Sequence, residues 1–121
     1  MQPQLASFVF VPARVRLRSV RDRRISVRIS CTGPCAVSGR LSLDGRSARR
    51  AGLARRSSAP VNIGRASDLR TSATSFTLKI ILTQRAVQAL RRLSRGTLRL
   101  RLSARGGTRN ETHSRTIAYV R

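Results

Sequence analysis

Glu111 and His113 stand two residues apart. On a β-strand that spacing puts a carboxylate and an imidazole on one face, the arrangement a proton-transfer pair would use. His113 is the only histidine, and Asp22, Asp44 and Asp68 are the only other acidic residues. None of the three aspartates has a second carboxylate near it in sequence. Serine is plentiful, but the Gly-x-Ser-x-Gly elbow that exposes a nucleophile is missing. The glycine-rich loops that cradle nucleotide phosphates are missing too. This inventory predicts no enzyme, no catalytic residue, no bound metal and no cofactor. Asn110-Glu111-Thr112 spells a glycosylation acceptor, a three-residue pattern that arises readily by chance.

Cys31 and Cys35 are the remaining reactive side chains, and they flank Thr32-Gly33-Pro34, a strong turn signal. Three chemistries compete for them. A disulfide would close a small loop and pin the turn, and it implies an oxidising compartment. Two reduced, buried thiols are the plain alternative. A zinc site needs four ligands, and the lone histidine lies far off; the spacing is also not the C-x-x-C of redox enzymes. The sequence favours the Cys31–Cys35 disulfide, contributing no more than about 2–3 kcal/mol for so short a loop.

Arginine supplies 25 of 121 residues against one lysine, Lys79, and the formal net charge is +22. The arginines alternate with aliphatic residues, as in Arg14-Val15-Arg16-Leu17-Arg18 and Leu98-Arg99-Leu100-Arg101-Leu102. A period of two puts the aliphatics on one face of a strand and the arginines on the other. The charge therefore belongs to a folded, half-buried sheet and not to a basic tail. Arg14, Arg16, Arg18, Arg28, Arg99 and Arg101 are the candidate contacts for a polyanion. Codon bias in a GC-rich genome explains the shortage of lysine, but not the scarcity of acids. Nucleic acid is the second choice of partner. The strands show no exposed aromatics for stacking bases, and no zinc-finger, RNP-like or heptad pattern appears.

These side chains are positioned by short strands separated by turns. Residues 1–13 form a lead-in or edge strand, with Phe8-Val9-Phe10-Val11 closed by Pro12. A domain over 14–121 follows. Ile25, Val27, Ile29 and Cys31 keep one parity, as do Cys35, Val37, Gly39, Leu41 and Leu43. Asp44-Gly45 predicts a hairpin leading into a strand from Arg46 to Ala51. Residues 52–74 predict irregular strands and loops. Phe76, Leu78, Ile80 and Leu82 give the clearest inward stripe. Thr83 caps a helix over about 84–94, with Ala86, Val87, Leu90 and Leu93 at helical spacing and Gly96 as the left-handed residue just past its end. Leu98, Leu100, Leu102 and Ala104 face inward next. In the last strand Ile117 and Tyr119 compete with Ala118 and Val120 for the core. The expected core is Val27, Ile29, Val37, Leu41, Phe76, Leu78, Ile80, Leu90, Leu93, Leu98, Leu100 and Leu102.

Seven to eight antiparallel strands with one short helix between two late strands predict an all-β, immunoglobulin-like sandwich. The segments Ile25 to Cys31, Cys35 to Leu41, Leu78 to Leu82 and Thr83-Gln84-Arg85-Ala86-Val87-Gln88-Ala89-Leu90-Arg91-Arg92 resemble Ig-like or fibronectin-like modules of exported, multi-domain proteins from GC-rich actinobacteria. The likeness is architectural and spans roughly residues 14–120. It implies a non-catalytic structural or adhesive module at the cell surface, monomeric, contacting neighbouring domains, cell-wall polymers or polysaccharide. No signal peptide is visible after Met1, and no apolar run reaches the ~20 residues of a transmembrane helix. The rival expectation is a cytoplasmic, nucleic-acid-binding protein.

Overall fold

The computed structural model describes residues 5–16, 23–52 and 60–121. Arginine–aliphatic alternation becomes strand wherever it occurs among them. The elements are β1 (Ala6–Phe10), β2 (Arg14–Arg16), β3 (Arg24–Cys31), β4 (Cys35–Leu43), α1 (Gly45–Arg50), β5 (Val61–Arg70), β6 (Thr74–Leu82), α2 (Gln84–Arg91), β7 (Arg95–Gly106) and β8 (Arg109–Val120). The strands form one curled sheet in the order β1-β3-β6-β5-β4-β7-β8-β2. All pairs are antiparallel except β2 with β8, so the sheet is mixed where antiparallel strands throughout were expected. The chain crosses from β3 to β8 between Phe10 and Arg14, and β2 enters beside the last strand running in the same direction.

The sheet folds over at the β5–β6 joint, where only Gly64↔Leu82 and Arg65↔Ile81 pair. Three strands (β1, β3, β6) then face five (β5, β4, β7, β8, β2). A Cβ on Gly39 of β4 would lie 3.0 Å from Leu78 Cδ2 and 3.7 Å from Ile80 Cδ1 of β6, so the two layers touch across the core at this point. All twelve expected core residues are buried, joined by Leu43, Ile63, Leu82, Ile117 and Tyr119. Each aliphatic side chain among them contributes about 1.5–3 kcal/mol on leaving water, and Phe76 and Tyr119 add aromatic bulk to this mainly aliphatic interior. The final strand resolves in favour of Ile117 and Tyr119.

Two expectations fail around the helices. Asp44-Gly45 is not a hairpin turn: Asp44 Oδ1 accepts from Ser47 N at 2.9 Å and caps α1 where a strand was expected. The same dipeptide suits both roles, and the small residues Ser47 and Ala48 decide it, because they allow a helical turn to be buried against β7. Gly96 is not the left-handed residue after α2. That helix stops at Arg91 with Arg92 as its cap, Leu93 N bonds Leu90 O, and Gly96 already lies in β7. The left-handed glycine is Gly52, just past α1, with φ of +79°. The Thr83 cap is as expected, its hydroxyl accepting from Ala86 N at 3.0 Å. Part of the stretch expected to be irregular is instead the ten-residue β5, with a bulge at Ile63 that turns both Ile63 and Gly64 inward.

Candidate functional site

The two cysteines are joined, with Cα atoms 6.5 Å apart, and both are buried. β3 and β4 do not pair with each other, since each belongs to a different layer. The bridge therefore clips the two layers together at one end as well as closing the turn.

Glu111 and His113 do meet, with His113 Nε2 3.3 Å from Glu111 Oε1. The carboxylate is fully engaged elsewhere. It accepts from Leu5 N at 2.8 and 2.9 Å and from Ala6 N at 3.3 Å, and Arg109 Nη2 lies 2.6 Å from Oε2. The Leu5 N–H, with Ala6, His113 and Arg109 adding to it against the opposing effect of burial, holds this carboxyl below its usual range. A carboxylate depressed in this way is a poor proton acceptor at neutral pH. Its role is to fasten the start of β1 to β8. Asp44 serves α1, and Asp68 is bound by Arg70 Nη2 at 2.7 Å and by Leu69 N at 2.8 Å. Among the described residues no group of histidine, cysteine or carboxylate side chains could hold a metal, and no helix is long and apolar enough to cross a membrane. Tyr119 donates its hydroxyl to Leu90 O at 2.8 Å, satisfying a carbonyl at the end of α2, and burial pushes its pKa up.

Eight of the described arginines lie on the outer face of the five-stranded layer. Arg14, Arg16, Arg40, Arg65, Arg95, Arg99, Arg101 and Arg105 are exposed there on β2, β4, β5 and β7. Of the residues singled out from sequence, Arg99 and Arg101 lie together on β7. Arg14 and Arg16 share the layer but are separated from them by β8. Arg28 is on β3, in the opposite layer. Arg18 lies outside the described residues. Sequence reasoning missed Arg40, Arg65 and Arg105. The outward parity of Ser38 and Arg40 was legible, but the register that brings these strands together was not.

That register is informative. Arg65, Arg40 and Arg101 are directly opposite one another on three adjacent strands. One step along, Ser67, Ser38, Ser103 and Thr112 form a row of hydroxyls across four strands. A groove of about 380 Å³ lies between the rows, lined by Ser38, Arg40, Arg101, Ser103 and Thr112. It adjoins one of about 600 Å³ where Lys79 joins Arg40, Arg65 and Ser67. Val9 and Phe10 are exposed beside a gap of about 300 Å³ between β1 and β8.

No family model matches the sequence, and no curated protein does so. Solved structures do match. The chain is similar to the periplasmic chaperone SfaE, with a TM-score of 0.59 at 6% identity over 95% of this chain. It spans 57% of the length of that protein. The CsuC–CsuE complex of chaperone and tip adhesion subunit from Csu pili of Acinetobacter baumannii aligns at TM-score 0.48 and 12% identity, over 94% of this chain and 56% of that one. At such identity the likeness to SfaE is one of architecture: the chain has the Ig-like, mostly β fold of a chaperone domain.

Proposed function

We propose that this chain is a non-catalytic Ig-like module of an exported bacterial protein, structural or adhesive in role, that works by surface contact outside the cytoplasm. The arginine-covered outer face carries this reading: among the described residues it presents eight exposed arginines, and the described carboxylates are all engaged elsewhere. A face of one charge sign attracts polyanions, and the partners it suits are anionic polymers of the cell surface, beside neighbouring domains of a longer protein. The buried Cys31–Cys35 bridge supports an oxidising location, and the fold likeness to a periplasmic chaperone agrees with it.

The test is an intact-mass thiol count on protein taken from its native host, with thiols trapped at lysis. A bridged pair is expected. Two free thiols would overturn the exported reading and bring forward an intracellular partner such as nucleic acid.

A further inference from the structure

Arg65, Arg40 and Arg101 sit side by side across β5, β4 and β7. Like charges directly opposite each other on neighbouring strands oppose folding. Natural sheets relieve such rows by interleaving acids. Here Asp44, Asp68 and Glu111 are bound elsewhere, and Asp22 lies outside the described residues. None of the three arginines makes an ion pair with a described carboxylate. The row thus bears a cost that no described carboxylate offsets, as expected of a surface shaped for something else.

The hydroxyl row beside it narrows the ligand. Ser67, Ser38 and Ser103 follow the arginines strand for strand, Thr112 extends the row onto β8, and the groove between Ser38–Ser103 and Arg40–Arg101 runs between the two rows. Arginine forks bind carboxylate and sulfate in bidentate fashion, while serine and threonine hydroxyls both donate and accept. A ligand matching both rows carries acidic groups on one side and hydroxyls on the other, repeated at the ~4.8 Å spacing of strands. The outward side chains here are arginine, serine, threonine, asparagine and alanine, with Leu69 at one end, so bases find no ring to stack on.

We propose that the Arg65–Arg40–Arg101 row and the adjoining hydroxyl row form one binding site for an acidic polysaccharide, laid across β5, β4, β7 and β8. The site rests on the reading of the chain as an exported contact module and gives that module its ligand class.

The test uses the full chain with its disulfide intact. Binding of an oligogalacturonate and of a sulfated oligosaccharide is measured by calorimetry in about 0.15 M salt, where diffuse attraction is screened. Three double variants are compared, each checked for folding by circular dichroism. R40Q/R101Q is expected to lose at least about tenfold in affinity, the worth of one charge-assisted hydrogen bond. R24Q/R85Q, which removes the same charge from exposed positions on β3 and α2, loses less than about twofold. S38A/S103A, with charge unchanged, loses several-fold for the saccharide and nothing for an oligoglutamate of equal charge. Equal losses from the two arginine variants overturn the site, as does an unaffected S38A/S103A. So does failure to bind either saccharide, or a single-stranded DNA oligomer that binds as tightly. Such a failure with the native disulfide in place removes the site alone. Free thiols in the native protein remove the exported reading, whatever the binding shows.

Discussion

Glu111 shows how one side chain can resemble chemistry and serve structure. Its neighbour at 113 is a histidine, yet its oxygens collect two backbone N–H groups, a guanidinium and the imidazole. Because its pKa is lowered on folding, the stabilisation is present above about pH 4.5 and is lost as pH falls through the lowered folded value. Glu111→Gln is expected to cost about 1–3 kcal/mol at neutral pH, since it removes charge-assisted bonds to Leu5 and Ala6. It should also flatten the acid limb of a urea-midpoint profile between neutral and acidic pH. An unchanged acid limb would show that another group controls it. The facing of Glu111 and His113 was legible in the sequence from their spacing. The donors from Leu5 and Ala6 were not, because 106 and 105 residues separate them from Glu111 and no local pattern encodes such a contact.

The joint between β5 and β6 carries the architecture at the level of elements. Gly64 approaches β6 so closely that a Cβ there would lie 2.7 Å from Leu82 Cδ2 and 3.0 Å from the Ile81 carbonyl oxygen. A backbone oxygen cannot swing aside as a flexible side-chain tip can. Gly64→Ala is therefore expected to destabilise by about 1–3 kcal/mol through overpacking, read as a shift in denaturant midpoint. A neutral result would mean that the layers part at little cost. Strand positions were readable wherever arginine alternated with leucine or isoleucine, as in β3 and β7. β5 was not, because Gly64, Ala66, Ser67 and Asp68 give a weak apolar signal and the bulge at Ile63 breaks the period. The candidate site suffered similarly: β7 announced Arg99 and Arg101, but Arg65 lay on the unread β5, and pairing order, a tertiary property, decides which arginines become neighbours.

For the molecule as a whole, +22 charges on 121 residues make self-repulsion a standing load on the compact state. A simple salt that screens it should raise the thermal midpoint by a few degrees, roughly 1 kcal/mol, on going from low ionic strength to about 0.5 M. A flat response would show that the arginines are already balanced within the fold. The sandwich was legible from seven or eight alternating runs. The crossing of β2 to a parallel seat beside β8 was not, because three residues carry too little pattern to declare a partner.

That seat has a mechanical consequence. From Leu5 to Arg16 the chain runs alongside β8 in the same direction: Leu5 is tied to Glu111, Phe8 lies near His113, Ala13 O accepts from Ala118 N, and Arg14 to Arg16 pair with Ala118 to Val120. Tension applied at the two ends of the chain draws these neighbouring segments past each other lengthwise. Their bonds are then loaded in shear, many at once, and cannot be peeled open singly as in a hairpin pulled from its mouth. A module pulled through its two ends is built, by this arrangement, to resist being drawn out.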